Sequence, residues 1–314
     1  MKVSIQTNST GLSLSAALRR VAAVAAVGVA TLAATGCEQL AIHKVAVDKT
    51  VLASHVLDAT LDQLNTQLGA QYAAVKTLNA KVSIKVATGG KTTGEVQEVI
   101  PTFSGFILLR KPSDLRTILQ VPLVGSMGLD MVSDGKTFKL VVPPKKIARE
   151  GSDELTTVSA KGFENLRPSV IRDALLVAPV ADDEFVSETQ NSRILPPAKG
   201  KKVATEEPDY DLTVTRRKTG NELQTIRVVH ISRVTLKPYE QDFYDTAGHL
   251  VEIVTYDKYQ KFGDIDYPMS IHISMPIYEY SLQIDITRLT LNEPMDDEEF
   301  KFEFPDGIPV QKMP

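Results

Sequence analysis

The sequence predicts a mainly β protein with a few helices. We expect a single large curved antiparallel sheet, an incomplete barrel of about eleven strands, with helices covering its concave face. Two observations predict this fold. Apolar residues occur at every second position through most of the chain after residue 80, which is the period of a strand with one buried face. Apolar spacings of three and four, which are typical of amphipathic helices, occur in a leading segment and in one insertion. An open sheet of this length must curl, and such helices can cover its apolar face.

The leading segment predicts a helix between Thr50 and Leu78, where leucines recur at spacings of three and four with polar residues between them. The period changes to two at Lys81, and Asp134-Gly135 is a typical hairpin turn. The predicted strands are Lys81 to Val86, Glu95 to Leu109, Leu115 to Val121, Leu129 to Ser133, Thr137 to Val142, Tyr210 to Arg216, Leu223 to Leu236, Glu240 to Tyr244, Leu250 to Tyr256, Met269 to Met275 and Tyr280 to Leu289.

The middle of the chain interrupts this series of strands. A helical insertion is predicted near residues 162–180, with Pro168 in its first turn. The stretch from Glu188 to Pro208 is polar and contains Pro196-Pro197, so we predict a loop there. Because no linker separates two cores, residues 50–314 are expected to form a single domain.

Residues 1–36 have the features of an export signal. Lys2, Arg19 and Arg20 are their only charged residues, and the apolar stretch from Val21 to Ala34 follows. That stretch is too short to span a membrane. We therefore expect residues 1–36 to be a signal peptide that is removed.

The sole cysteine of the chain, Cys37, follows this stretch directly. Ala34-Thr35-Gly36-Cys37 resembles the bacterial lipobox, although the lipobox prefers Leu where this chain has Ala34. The resemblance implies cleavage before Cys37 and acylation of its thiol, with residues 37–49 as a tether to the membrane. The alternative is an ordinary signal peptide followed by a buried, inert cysteine.

The composition limits the class of protein. Hydrophobic residues make up 43% of the 314 residues, enough for a core, and a single cysteine excludes a disulfide scaffold. Loss of residues 1–36 changes the formal net charge from −4 to −7. An acidic body gives no electrostatic basis for binding nucleic acid, so no nucleic-acid partner is expected.

The chain lacks a recognisable catalytic or metal-binding pattern. No His-Glu-x-x-His or Gly-x-Ser-x-Gly sequence occurs, and Gly90-Lys91-Thr92 lacks the first glycine of a phosphate loop and its following helix. We therefore predict a protein that is not an enzyme and that has no metal or cofactor. The five histidines, which are scattered, are His43, His55, His230, His249 and His272.

An apolar connection between two predicted strands is the most informative surface. Leu123, Val124 and Met127 lie in a glycine-rich segment, whereas turns are normally polar. Either the tip folds back onto the core, or it protrudes and inserts into acyl chains. The pattern alone leaves both interpretations open.

The order of the elements and several phrases resemble the lipoprotein-localisation family, which contains the periplasmic carrier LolA and the outer-membrane receptor LolB. The resemblance spans most of the chain after Cys37. It implies an incomplete barrel with a helical lid over a hydrophobic cavity that takes the acyl chains of a lipoprotein. The phrases are Phe103 to Pro112, Ser133 to Phe138, Tyr244 to Gly248, Tyr267-Pro268, Asn292 to Phe300 and Pro305 to Ile308.

The resemblance assigns roles to two positions. In the carrier, an Arg before the Pro of the first phrase controls closure of the lid, and Lys111 holds that position here, with a point charge instead of a planar fork. In the receptor, a Leu after a Pro in a protruding loop drives membrane insertion of the cargo. Pro122-Leu123 matches that position, which favours the protruding interpretation of the loop that also contains Val124 and Met127.

The resemblance implies a lipid-anchored protein of the bacterial envelope that faces the periplasm, on the outer membrane in preference to the inner. We expect a monomer that binds acyl chains of lipoproteins or lipids, transfers or inserts them, and meets a periplasmic carrier protein. The alternative is a lipid-anchored sensor or scaffold that binds a partner protein in envelope-stress signalling or assembly; a shallow cavity would favour it. Alternation alone does not show which face of a strand points into the cavity. The predicted cavity residues are Val82, Ile84, Phe106, Leu108, Leu119, Val170, Ile171 and Leu175.

Overall fold

The computed structural model describes residues 49–53, 55–90, 94–153 and 167–313. The fold below is that of the unit Thr50–Pro314. The predicted signal peptide, Cys37 and nearly all of the tether lie outside the described residues. Within them, no helix has both the length and the apolar character needed to cross a membrane.

The described residues form one sheet of fifteen strands, with two α-helices and two 3-10 turns. The mainly β class with helices is confirmed, and the strand number exceeds the eleven predicted because short and edge strands were missed. The elements are β1 Thr50–Leu52, α1 Leu61–Ala74, β2 Thr77–Gly89, β3 Val96–Arg110, β4 Asp114–Gln120, β5 Met127–Ser133, β6 Thr137–Val142, β7 Ile147–Ser152, α2 Pro168–Leu175, β8 Glu184–Leu195, β9 Ala204–Arg217, β10 Leu223–Ser232, β11 Pro238–Tyr244, β12 Leu250–Phe262, β13 Ile265–Met275, β14 Tyr280–Leu291 and β15 Val310–Lys312, with 3-10 turns at Pro143–Lys145 and Asp297–Phe300.

The strands follow the order β8-β9-β10-β11-β12-β13-β14-β2-β3-β4-β5-β6-β7-β15. Neighbours are antiparallel except at β15, which runs parallel to β7, and at β1, which runs parallel to the first residues of β9. The last long strand, β14, pairs with the first, β2, at Leu282 and Val86. This pairing joins the two halves of the chain into a continuous antiparallel meander.

The leading helix is shorter than predicted. The segment Thr50–Leu52 is a strand, and α1 starts only after Thr60, whose side chain accepts a hydrogen bond from the backbone N–H of Gln63 while the Gln63 side chain accepts from that of Thr60. This capping box fixes the first turn. The helix ends at Ala74. From Leu78 onward every second side chain is buried, which is the pattern of a strand, so the chain continues as β2.

The segment Glu188 to Pro208, predicted as a loop, is mostly strand. β8 pairs with β9 over its whole length, from Glu184 with Arg216 to Leu195 with Thr205. The sequence pattern failed because β8 lies at the edge of the sheet and most of its side chains are exposed. A strand with two solvated faces lacks the apolar alternation that identifies a half-buried strand.

The helices cover two parts of the buried apolar face. Under α1, Leu64 and Leu68 pack against inward-facing residues of β9 and β10. Ile171 and Leu175 of α2 belong to the larger core cluster, which β2 to β5 and β12 to β14 supply. The site is therefore framed by two helices on one side and the inner face of the sheet on the other.

Candidate functional site

Two cavities lie between the helices and the sheet. The first, of about 70 Å³, is lined by α1, the residues after α2 and β11 to β13. The second, of about 190 Å³, lies between α1, α2, the end of β3 and the strands β10 and β11. Small-molecule sites usually measure about 300–1,000 Å³, so side chains fill most of this interior. Tyr72 and Leu176 line both cavities and stand between them.

The first cavity, which we call the apolar cavity, is suited to hydrocarbon. Leu68, Leu175 and Ile265 contribute to its lining, together with several tyrosines. The hydroxyl of Tyr267 donates to the carbonyl of Leu175 at 2.8 Å, and that of Tyr259 donates to a backbone carbonyl at the same distance. These hydroxyls are already paired, and so are the two charged side chains of the lining, Lys237 and Asp266, at 2.8 Å. With two glutamines as the other polar residues, the cavity presents mainly ring and aliphatic surface.

The second cavity, which we call the basic cavity, has three cationic side chains in its lining: Lys111, Arg172 and Arg227. Asp173 is the one carboxylate of its lining among the described residues. The Lys111 ammonium donates to the backbone carbonyl of Tyr72 and lies 3.3 Å from the centre of its ring. Burial lowers the pKa of Lys111 to about 8.

Helix α2 is held to the sheet by one buried carboxylate. Asp153, directly after β7, accepts hydrogen bonds from Arg172 Nη1 at 2.7 Å, the Ser169 backbone N–H at 3.2 Å and the Ser133 hydroxyl at 3.0 Å. Its backbone carbonyl accepts from the Ser169 hydroxyl. The first turn and the middle of α2 are thus fastened to β5 and β7 through a single side chain.

The predicted cavity residues lie in three different places. Leu175 lines the apolar cavity, whereas Val82, Ile84 and Ile171 are buried in the main core cluster. Leu119 and Val170 are partly buried and pack against that cluster. None of these five lines either of the two cavities.

Phe106 and Leu108 require a correction. Phe106 is exposed and Leu108 half-buried, while their neighbours Ile107 and Leu109 are buried in the core. Successive side chains of β3 point to opposite faces, so choosing the wrong face moved the predicted set by one residue. Leu109, which lines the basic cavity, is the inward-facing residue of this strand there.

The loop between β4 and β5 protrudes. Leu123 is fully exposed and Val124 is 74% exposed, and the exposed Met127 follows at the start of β5. The backbone of Leu123 has a φ of 67°, in the left-handed region that a leucine rarely adopts. Hydrogen bonds from Val121 N to Ser126 O and from Gly125 N to Val121 O hold the loop in this shape.

A buried carboxyl group also faces the interior. Glu252 lies on β12 in line with the buried Val254 and Tyr256, and its Oε1 has no hydrogen-bond partner in the described part of the chain. Burial raises the pKa of Glu252 to about 8, with a further contribution from Asp173. The group is therefore mainly neutral at pH 7, the form that an apolar interior tolerates.

His230 belongs to a polar row that the sequence did not reveal. Its Nδ1 lies 2.6 Å from Asp211 on β9, and its Nε2 lies 3.6 Å from Asp242 on β11. Together with Glu240 and Asp242 it is close enough to share a metal ion. Burial lowers the pKa of His230, but the nearby Asp242 carboxylate and the hydrogen bond with Asp211 outweigh burial and raise it to about 9. A protonated imidazole between carboxylates accounts for this row.

Sequence reasoning missed Tyr72, Arg172 and Arg227 at the cavities. For Arg227 the available signal was an arginine inside an alternating apolar strand. In the structure it lines the basic cavity and lies beside a register shift in the pairing of β10 with β9, between Thr225 and Arg227. For Arg172 no local signal existed, because its partner Asp153 is distant along the chain and the contact depends on the tertiary fold.

No protein-family model matches the sequence, and no curated protein matches it. Solved structures are similar in architecture. A LolA superfamily protein from Nitrosomonas europaea is 13% identical, over 78% of this chain and 99% of its own, with a TM-score of 0.47. A DUF1329 family protein from Desulfovibrio piger is 16% identical, over 76% and 94%, with a TM-score of 0.48. A candidate outer membrane lipoprotein-sorting protein domain from Vibrio parahaemolyticus is 12% identical, over 76% and 94%, with a TM-score of 0.45.

Proposed function

We propose that this chain is a lipid-anchored protein of the bacterial envelope that takes acyl chains of lipids or lipoproteins between its sheet and its helices and passes them to a membrane. Cys37 carries the anchor after removal of residues 1–36, and the body faces the periplasm on the outer membrane. The protein acts as a monomer that receives its cargo from a periplasmic carrier, and it catalyses no reaction.

The observation that carries this proposal is the exposed apolar loop Pro122–Met127. It belongs to a sheet that has one apolar face, and the helices cover that face. Leu123 and Val124 extend into solvent instead of folding back onto the core. An exposed apolar tip on a tethered protein is suited to enter the acyl layer of a membrane. The nearby interior, with α2 as a removable cover, offers hydrocarbon an alternative to water.

Transfer of this kind needs no chemical energy source. Each CH₂ group that leaves water contributes about 0.8 kcal/mol, whether it enters a protein cavity or a bilayer. The direction of transfer then depends on a difference between two similar free energies. A loop that already touches the bilayer shortens the path between the two sites, and cargo release follows contact with the membrane.

A transfer assay tests the proposal. We expect the full chain to take up a fluorescent fatty acid and deliver it to phospholipid vesicles, and Leu123→Asp to slow delivery about tenfold or more. Burial of a leucine side chain is worth about 1.5–3 kcal/mol, and 1.4 kcal/mol corresponds to a factor of ten. The loaded protein is mixed with vesicles that contain a quencher, and the rate of fluorescence loss is measured.

The matched control is Ile194→Asp, which places the same charge at an exposed apolar residue of the edge strand β8. Its delivery rate should equal that of the unmodified chain. Equal rates for Leu123→Asp and the unmodified chain would refute the role of the loop, and failure of the unmodified chain to take up the fatty acid would refute the function.

The small cavities favour one second candidate. An interior with only about 70 and 190 Å³ of free space also suits a lipid-anchored sensor or scaffold that binds a partner protein. Mass spectrometry of lipid extracts from the purified chain separates the two functions. Co-purified phospholipid or acylated peptide supports the transfer function, whereas an empty protein that captures a periplasmic protein supports the scaffold.

A further inference from the structure

We propose that the basic cavity binds the anionic headgroup of a single-chain amphiphile whose acyl chain occupies the apolar cavity. This inference rests on the proposed function and adds a substrate class to it. The shared chemistry is a carboxylate or phosphate attached to hydrocarbon. Lys111 and Arg227 are the binding cations.

The arrangement of charge supports an anion. Arg172 pairs with Asp153, which does not line the cavity, at 2.7 Å and with Asp173, which does, at 3.3 Å. Glu184, which does not line the cavity, lies 3.6 Å from Arg227, so the lining has three cations and one carboxylate among the described residues. Lys111 has no ion pair with a carboxylate in the described ranges 49–53, 55–90, 94–153 and 167–313. A partly buried ammonium without a counter-ion is a favourable place for an incoming anion.

Arg227 offers a second donor at the same place. One of its guanidinium nitrogens, Nη2, donates to the carbonyl of Pro179 at 2.9 Å. Its Nε is buried and has no hydrogen-bond partner among the described residues. Because a guanidinium presents donors in a rigid fork, an unused donor of Arg227 in the cavity that Lys111 also lines complements an anionic oxygen.

The two cavities suit the two ends of one molecule. Tyr72 and Leu176 line both, and three cations line the second cavity, whereas mainly apolar and tyrosine side chains, with the Lys237–Asp266 ion pair, line the first. Tyr72 lies near the end of α1, and Leu176 directly follows α2. A dodecyl chain needs more space than about 70 Å³, so its entry requires that these two side chains move with α2, which joins and widens the cavities. An amphiphile matches such a site because its polar and apolar parts are separated in the same way.

The headgroup contact is tested with two ligands of the same chain length, one with an anionic carboxylate and one with a neutral hydroxyl. Laurate and dodecanol each displace the uncharged fluorescent probe N-phenyl-1-naphthylamine from the full chain at pH 7. We expect laurate to bind about tenfold more tightly, the size of one charge-assisted contact. In Lys111→Gln the difference should fall to about twofold, while dodecanol binding stays unchanged.

Two further variants separate charge from folding. Lys111→Arg retains the positive charge and should keep the laurate preference, whereas a loss in both Lys111 variants would indicate a packing role and overturn the inference. Lys139→Gln removes an exposed lysine of β6 and should leave both affinities unchanged. Circular dichroism of every variant verifies that the fold is intact.

The remaining outcomes distinguish this inference from the proposed function. Equal affinity of laurate and dodecanol would overturn the headgroup site and leave the function in place. Failure of both ligands to displace the probe would overturn both. Inorganic phosphate alone forms the last arm: binding of phosphate as tight as that of laurate, with the same dependence on Lys111, would assign the cavity to a free anion and overturn the amphiphile.

Discussion

Gly105→Ala is expected to abolish stable folding. A Cβ atom at this position of β3 would lie 1.9 Å from the carbonyl oxygen of Ile118 and 2.9 Å from the Cα of Leu119, both backbone atoms of β4. Backbone cannot rotate away as a side chain can, so the two strands must separate. We expect a loss above about 4 kcal/mol, a large part of the stability of an ordinary domain.

The matched control is Gly69→Ala in the interior of α1. An added Cβ there meets nothing within 4 Å, and alanine favours a helix over glycine by about 0.5–1 kcal/mol. This variant should therefore be slightly more stable than the unmodified chain. Both variants are compared by urea unfolding followed with circular dichroism. A Gly105→Ala midpoint equal to that of the unmodified chain would show that β3 and β4 are less tightly joined than the structure indicates.

The close contact at Gly105 also concerns function. The hairpin of β3 and β4 leads directly into the exposed loop with Leu123 at its tip. A rigid strand pair holds that tip at a fixed place relative to the covered interior. Without this pairing, the loop and the cavities would lose their fixed geometry, so the glycine serves the site as well as the fold.

The sequence predicted the parts of the fold that depend on local period. Val82 and Ile84 alternate with polar residues, and both are buried in β2. Composition singled out the loop that contains Leu123 but left open whether it folds back or protrudes, and only the resemblance of Pro122-Leu123 to the receptor favoured the protruding form that the exposed Leu123 shows. Edge strands gave no such signal: β8 is largely solvated, and β15 has only three residues.

The site was less predictable because it depends on distant contacts. Alternation in β3 identifies two faces but not which one is inward, and Phe106 and Leu108 were assigned to the wrong one. The basic cavity combines Lys111 with Arg227, which are far apart in the sequence and come together only through the order of strands. Such a pair has no sequence period, so it follows only from the assembled sheet.

Removal of the Asp153 carboxylate is expected to release the lid. This side chain is 1% exposed and connects Arg172 and Ser169 of α2 to Ser133 of β5. In Asp153→Ala the Arg172 guanidinium loses its closest partner, and the buried Ser133 hydroxyl and the Ser169 backbone N–H lose their acceptor. Breaking a buried pair from one side costs about 3–5 kcal/mol. We expect that loss in urea unfolding.

The position of the effect distinguishes lid release from a general loss of stability. Amide hydrogen exchange in α2 should accelerate more than in β13, because the lost bonds join α2 to the sheet. The control Asp173→Asn alters the neighbouring acid, which is 53% exposed and lies 3.3 Å from Arg172. An exposed pair of this kind contributes at most about 1 kcal/mol, so exchange in α2 should barely change.

Release of α2 has a functional consequence that Asp153→Ala tests. If α2 must move before an acyl chain enters, weakening its attachment lowers the cost of opening, and Asp153→Ala should take up a fluorescent fatty acid faster than the unmodified chain does. Stopped-flow mixing at a temperature where both proteins remain folded measures the rate. Faster exchange in α2 without faster uptake would mean that acyl chains enter elsewhere. Unchanged exchange in α2 would mean that apolar packing of Ile171 and Leu175, and not the Asp153 carboxylate, holds the lid closed.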